Sequence, residues 1–518
     1  MILITSASYI NPELQVEFGK IPPAFLPLGA KRLYEHQKNL FKKLDERIVI
    51  SLPQSYDVTR ADQQKLDKLD IEIIFIKDNI SLGESIVYAL NMLLPINEHF
   101  SILHGDTLFM DIEQNTKVSS LEISKADTSY NWEYLVQNNN LLIKSKAYVI
   151  DELEEYVLSG YFSFHDIYEL IRCLTSTNFS FIDAIKMYFQ KYELKLVKND
   201  SWLDFGLSAT YFHSRQNFTT ERTFNSLIIS DGYVTKCSEK EGKLQSEINW
   251  YKKLPKELNL FIPRFEVSDD EKCYKTEYLY LNTLSELYVF GNLPSHIWKQ
   301  IFNSIKTFLE QLHLYTSKNL KSNFNYKMKT LDRITEFSRK NKINLKKSWI
   351  LNGETIPSIE KIIIQLDNYI KDCNTYSFIH GDFCMSNIMY DFKANRIKIY
   401  DPRGMDFNNQ ITPYGKSEYD HAKLMHSVFG LYDYIISNFY TLSYSEYRIN
   451  FTIDNPPELV GIQNMYKDVF ETENFKHLYA VMIHLFLSML PLHSDNEQRQ
   501  FALLANAFRL YIELERME

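Results

Sequence analysis

The chain has 518 residues, with 57 Lys or Arg against 66 Asp or Glu and a net charge of −9. A length of that order supports roughly three to four domain-sized units, or two large ones, so core volume is not limiting. The acidic balance argues against a general polyanion binder such as a nucleic-acid coat.

Five cysteines, Cys173, Cys237, Cys273, Cys373 and Cys384, are scattered, odd in number and without C-x-x-C spacing, which predicts a reduced, cytoplasmic setting. Residues Met1 to Tyr9 lack the basic start of a signal peptide. The longest apolar run, Leu478 to Leu492, is broken by His484 and Pro491 and reads as a buried helix, so no membrane insertion is expected.

In chain order, Met1–Ile4, Arg47–Leu52 and Ile71–Ile76 read as strands, with a helical pattern over Leu33–Leu44, as in an α/β sheet with crossovers. Ser81–Leu93 opens on a Gly-bearing loop and continues as a helix. A fourth strand, Phe100–Leu103, ends in His104, Gly105 and Asp106, where α/β ligand sites form. Far downstream, SWLDFGLSATYFHS places Asp204 between aromatic segments. Two carboxylates from separate loops, Asp106 and Asp204, are candidate ligands for a Mg²⁺ that bridges a nucleoside triphosphate.

Residues 1 to about 215 resemble the sugar-phosphate nucleotidyltransferase family, with its GT-A-like, Rossmann-related sheet. The resemblance rests on PPAFLPLGAKRL (Pro22–Leu33), Gly105–Asp106, Leu82–Ser85, and Trp202, Asp204 and Gly206. It implies metal binding by Asp106 and Asp204 and a base-binding loop at Gly83. The family's Gly-rich loop and its Arg are replaced by SASYINPELQVEFG (Ser6–Gly19), and Pro23 stands at the family lysine. Lys20 or Lys31 is the candidate replacement charge, with Lys31 taken as nucleotide-binding. Alternatively, backbone amides and the hydroxyls of Ser6 and Ser8 hold phosphate.

After a short polar joint, His213–Arg222, the segment Phe224–Ser238 reads as a hairpin around Asp231–Gly232. Lys236 on its second strand and Glu247 near a helix start match the strand lysine and helix glutamate that a kinase-like lobe uses on nucleotide phosphates. Lys243 competes for the first role. Tyr274–Tyr288 is then a strand and hinge beside adenine, and Pro294–Ser295 open a helix whose Ile297, Trp298, Ile301, Phe302, Ile305, Phe308, Leu309 and Leu312 face the core. Ten Lys or Arg between Lys318 and Lys347 face only Asp332 and Glu336, and read as a solvated helix face rather than an anion-attracting patch.

The stretch Phe378–Gly404, FIHGDFCMSNIMYDFKANRIKIYDPRG, reads as three short strands with two loops that carry Asp382, Asn387 and Asp401. Hard oxygen ligands suit Mg²⁺, and phosphoryl transfer from ATP needs a carboxylate to orient the attacking hydroxyl. Asp382 fits that role, with Asn387 and Asp401 on metal. Cys384 reads as packing. Gly415–Lys416–Ser417 imitates the end of a P-loop without its first Gly.

This half, from about Phe224 to the C-terminus, resembles the aminoglycoside phosphotransferase and choline kinase family, small-molecule kinases of protein-kinase-like fold. The motif residues are His380, Gly381, Asp382, Asn387 and Asp401. Asp420, in EYDHAKLMHSVFG, is expected to anchor loop geometry. Together the two resemblances imply a GT-A/Rossmann-like nucleotidyltransferase domain over 1–220 and a two-lobed α+β small-molecule kinase over 221–518. The expected activity is phosphorylation of a sugar or alcohol with ATP and Mg²⁺, then transfer of a nucleotide from a second NTP, CTP or UTP, for capsule or surface glycan synthesis. The alternative is an active kinase with a non-catalytic N-terminal module. The aromatic content of 14% permits a cage for a choline-like cation, although such residues more often fill cores.

Overall fold

The computed structural model describes residues 1–517 except 45, 94, 96–98, 113–118, 126–132, 139, 146–155, 193–194, 217–224, 239–240, 270, 318–322, 372–374, 455 and 472–473. Cys373, most of the joint, the boundary expected after residue 220, and Lys318 and Lys321 lie outside the described residues. Two compact units emerge, Met1–Phe218 with Phe290–Asn292, and Thr219–Val289 with Leu293–Glu518.

In the first unit, β1 (Ile2–Thr5), β2 (Ile48–Pro53), β3 (Ile71–Ile76) and β4 (Phe100–His104) run parallel in the order β3-β2-β1-β4. Ile2, Leu3, Ile4, Val49, Ile50 and Ile102 are all buried, as in a sheet covered on both faces. The connections carry α1 (Pro12–Phe18), α2 (Leu33–Leu40), α3 (Arg60–Lys68) and α4 (Leu82–Leu93). Helix α2 ends four residues before the apolar pattern does, because the chain turns at Phe41. Beyond β4 comes β5 (Thr107–Phe109), and β6 (Tyr156–Phe164) then pairs antiparallel with β4. Helices α5 (Ile167–Ser176) and α6 (Phe181–Lys191) pack their apolar faces onto the same core as α4. Finally β7 (Trp202–Asp204) pairs with β5, and α7 (Ser208–Arg215) follows.

The second unit opens with an antiparallel sheet in the order β8-β9-β11-β10, built from β8 (Asn225–Ser230), β9 (Tyr233–Ser238), β10 (Phe265–Val267) and β11 (Cys273–Glu277), with α8 (Glu241–Lys253) after β9. Asp231 and Gly232 both take positive φ, 53° and 75°, which the tight β8–β9 turn requires. The expectation of unpaired cysteines is corrected here. Cys237 and Cys273 stand opposite each other on β9 and β11, with Cα atoms 4.3 Å apart, and form a disulfide. Strand register makes that pair, so spacing along the chain gave no sign of it.

A second correction concerns Tyr274–Tyr288. It is strand to Glu277 and again at Asn282–Thr283, and from Leu284 it is helical, α9 (Leu284–Phe290), with Thr283 and Glu286 bonding reciprocally as a capping box. Next come α10 (Ser295–His313) and α11 (Tyr326–Asn341), then β12 (Tyr376–Phe378) and the hairpin β13 (Ile388–Asp391) and β14 (Arg396–Ile399). The chain closes with α12 (Ser417–Val428), α13 (Phe475–Met489) and α14 (Glu497–Arg516). Phe475–His493 is long and apolar enough to cross a membrane, yet 78% of its most apolar window is buried, and α13 packs against α11, α12 and α14.

Candidate active site

In the second unit, a cavity of about 1090 Å³ is lined by Asp382, Asn387 and Asp401. β12 delivers the loop with Asp382, and the β13–β14 hairpin brings Asn387 and Asp401 to one end. The loop is held from behind by Asp420 on α12, buried, whose two carboxylate oxygens accept from the amides of His380 and Gly381, each at 2.8 Å. His380 is a strut rather than a base. Its Nε2 bonds the carbonyl of Tyr400 at 3.1 Å, its Nδ1 accepts from the amide of Asp382 at 3.3 Å, and burial lowers its pKa. Gly381 has φ of 77°, and a Cβ there would stand 2.9 Å from that of Arg403.

Asp382 Oδ1 pairs with Lys423 at 2.8 Å, and its Oδ2 accepts from the Asn387 amide nitrogen at 3.1 Å. Burial alone would raise the Asp382 pKa, but Lys423, then His380 and Arg403, hold it well below the usual carboxylate range. Burial also opposes the charge of Lys423, which Asp382 nevertheless raises. Since Asn387 spends its nitrogen on Asp382, its carbonyl oxygen is the atom it offers to a cation. Asp401 takes a left-handed φ of 57°, a conformation Asp tolerates better than most residues.

Lys236 on β9 bonds Glu247 on α8 at 2.6 Å and also pairs with Asp401. Burial works against the ammonium, and Asp401 and Glu247 outweigh it to raise the Lys236 pKa. Tyr274 completes the cluster by donating to Glu247 at 2.8 Å. The competitor Lys243 is half-exposed and lies 3.8 Å from Glu247. Thus Lys236, Glu247, Asp382, Asn387 and Asp401 form one constellation. An oxygen-rich pair beside a lysine that can meet phosphates fits a Mg²⁺–nucleotide. Cys384 is buried, and burial followed by Asp382 pushes its thiol up to about 12, so it is no nucleophile at neutral pH.

Sequence reasoning missed Lys423. Its signal was available, since Asp420 and Lys423 are three residues apart and share one face of a helix.

In the first unit, the order β3-β2-β1-β4 reverses direction between β1 and β4, the switch point where open α/β sheets take ligands. Asp106 lies just past β4, and Asp204 ends β7, whose partner β5 begins at Thr107. The amide of Phe205 donates to the carbonyl of Asp106 at 2.8 Å, and a Cβ on Gly206 would come within 2.8 Å of Asp106 Oδ2. The structure therefore brings both carboxylates together. Burial and then the Asp106 charge push Asp204 up to about 7, while Thr210 donates to it. A pair of neighbouring carboxylates, one of them strained toward its protonated form, fits a divalent cation that keeps waters and phosphate oxygens as its other ligands. Gln37 is the second residue the sequence reading missed. Buried on α2, its amide donates to the carbonyls of His104, Gly105 and Thr107 at 3.1, 3.1 and 2.9 Å, and so fixes the Asp106 loop. A polar residue four positions after Leu33 on an apolar helix face was the clue.

The remaining candidates in this unit are placed differently. Gly83, in the first turn of α4, gives room for the carbonyl of Phe179, which a Cβ would meet at 2.1 Å. Its presence is thus required by packing. Lys31 is exposed beside the Gly29 turn, and Lys20 sits over the Tyr9 ring at 4.1 Å. The hydroxyl of Ser6 accepts from the amide of Ala24 at 3.0 Å, so it is committed within the fold.

No protein-family model matches the chain, and no curated protein matches it. Among solved structures it is similar to a nucleoside-diphosphate-sugar pyrophosphorylase from Vibrio cholerae, at 13% identity and TM-score 0.35, over 42% of this chain and 99% of that one. It is also similar to the CTP:phosphocholine cytidylyltransferase of Streptococcus pneumoniae, at 14% identity and TM-score 0.33, over 42% and 98%. A third likeness is to the inositol-1-phosphate CTP transferase of T. maritima, at 16% identity and TM-score 0.33, over 40% and 90%.

Proposed function

We propose that the second unit is an ATP-dependent small-molecule kinase and that the first transfers a nucleotidyl group to a phosphate ester. The observation that carries the first half is the constellation of Asp382, Asn387 and Asp401 around one cavity, with Lys236 held by Glu247. Asp382 orients the acceptor hydroxyl and takes its proton as the O–P bond forms. A strongly depressed carboxylate is a weak base, which suits a loose transition state where the proton leaves late. Lys423 fixes the side chain that does this, and Lys236 meets the nucleotide phosphates. Asn387 and Asp401 would hold Mg²⁺, which would supply charge neutralisation on the transferred group.

In the first unit Asp106 and Asp204 would hold the metal of a CTP- or UTP-type substrate while an incoming phosphate displaces pyrophosphate. The second reading, a non-catalytic N-terminal module, is favoured by one observation. Where a Gly-rich phosphate loop would follow β1, the chain forms α1, capped by Asn11 through the amide of Glu13 at 2.9 Å.

The test is ADP formation with a panel of sugars and amino alcohols, and pyrophosphate release with CTP or UTP and the phosphorylated products. Asp382→Ala is expected to abolish the first activity and Asp106→Ala the second. No ADP formation on any acceptor would retire the kinase reading, and ADP formation that survives Asp382→Ala would retire Asp382 as its base. No pyrophosphate release from any NTP would leave the first unit as a binding module.

A further inference from the structure

The charges that line the Asp382 cavity do not cancel. Lys423 is matched by Asp382 at 2.8 Å, Lys243 by Glu247 at 3.8 Å and Arg499 by Asp495 at 3.4 Å, while Asp401 is matched by Lys236. Three cations remain, Lys329 and Arg333 on α11 and Arg403 in the loop after Asp401. Neither Lys329 nor Arg403 has a carboxylate partner among the described residues. Arg333 reaches only Glu336, one turn along its own exposed helix face, at 4.0 Å. The guanidinium of Arg403 donates to the carbonyls of Met405 and Asp406, at 3.0 and 3.4 Å. The ammonium of Lys329 lies 3.4 Å from the Tyr419 hydroxyl and 3.9 Å above the Phe407 ring.

That placement is costly for Lys329. Burial lowers its pKa, and the like charges of Arg403, Lys423 and Arg333 lower it further, against which only Asp382 acts in its favour. A partly buried cluster of one sign is the arrangement that an arriving opposite charge stabilises. In addition, Arg499 Nε is buried at this cavity without a hydrogen-bond partner among the described residues. Of the two tyrosines that line the cavity, Tyr419 already faces Lys329, as does its neighbour Phe407. These cations are also separate from the nucleotide-holding group. Lys236 and Glu247 come from β9 and α8, whereas the surplus comes from α11 and the loop after Asp401.

We infer that the acceptor bound beside Asp382 carries an anionic group, a carboxylate or a phosphate, that docks on Lys329, Arg333 and Arg403 while its hydroxyl faces Asp382. This rests on the phosphotransfer reading above. The acceptor class is therefore hydroxy acids or sugar phosphates, and a quaternary ammonium is repelled.

The experiment is calorimetric titration of the full chain, with Mg²⁺ and a non-hydrolysable ATP analogue present. Matched probes are glycerol, glycerate and glycerol 3-phosphate; glucose, gluconate and glucose 6-phosphate; and choline. At least one acid is expected to bind about ten-fold or more tightly than its neutral parent, with choline not binding. The carboxylate and phosphate members of each set tell the two sources apart. Lys329→Gln should weaken the acid about ten-fold and leave the ATP analogue unchanged, and Lys329→Arg should restore it. Binding of choline or a neutral parent as tight as that of any acid, or no binding by any acid, overturns the inference. So does an equal loss of acid and nucleotide affinity in Lys329→Gln. ADP formation is followed separately. Acid binding without ADP would retire the kinase reading and leave the anion site standing, whereas ADP formed on choline would do the opposite.

Discussion

Lys423 sets the protonation of the residue it touches. Because its ammonium holds the Asp382 carboxyl low against burial, removing it must raise that carboxyl, with only His380 and Arg403 left to oppose burial. Lys423→Met is therefore expected to move the acid limb of the kcat/KM profile for ADP formation to higher pH, while a purely structural loss would lower the plateau without moving the limb. Asp204 carries the opposite shift. Its folded pKa of about 7 lies above that of an unfolded aspartate, so between about pH 4 and 7 the folded chain keeps a proton that the unfolded chain has lost. Stability contributed at this site falls as pH rises through that window and is flat above it. With metal chelated, Asp204→Asn should raise the urea midpoint of the transition that reports the first unit at pH 8, with a smaller gain at pH 5. An equal gain at both values would mean that Asp204 is not held protonated.

At the scale of elements, α12 does two jobs with residues one turn apart, since Asp420 ties the His380–Asp382 loop and Lys423 ties its carboxylate. Asp420→Ala orphans the buried amides of His380 and Gly381, at about 1–3 kcal/mol for each unsatisfied group. It should lower the urea midpoint of the second unit and cut ADP formation without moving the acid limb, whereas Lys423→Met, which leaves the Asp382 carboxylate without its main partner, should lower the midpoint at neutral pH and move the limb as well. Much of this was legible in the sequence. Strands β1 to β4, the Asp231–Gly232 turn and the β13–β14 hairpin follow from apolar runs bounded by turn residues, which are local signals. What escaped notice depends on register and on which face meets which. Cys237 and Cys273 become neighbours only when β9 and β11 align, and Gln37 reaches three carbonyls only because α2 lies beside the Asp106 loop. Lys329 and Arg333 were read as a solvated face. Net charge along a helix does not reveal that its next turn borders a cavity.

For the whole molecule, the two constellations belong to separate compact units, each with its own core and its own carboxylates. Expected outcomes therefore cross over cleanly: Asp382→Ala leaves pyrophosphate release at the parental rate, Asp106→Ala leaves ADP formation at its own, and the double variant shows the product of the two effects. A loss of both activities in either single variant would argue against independent sites. Within the second unit, one junction has mechanical meaning. The hydroxyl of Ser246 donates to the carbonyl of Arg403 at 2.9 Å, and Gly404, at φ 63°, lies so close that a Cβ would stand 2.1 Å from the carbonyl of Ser246. Ser246 immediately precedes Glu247, and Arg403 lies two residues past Asp401. The helix that carries Glu247 and the loop that carries Asp401 are thus riveted side by side. On the proposed phosphotransfer reading, a cleft that admits a nucleotide cannot widen between these two segments, which leaves β9 and its Lys236 contacts as the side free to yield.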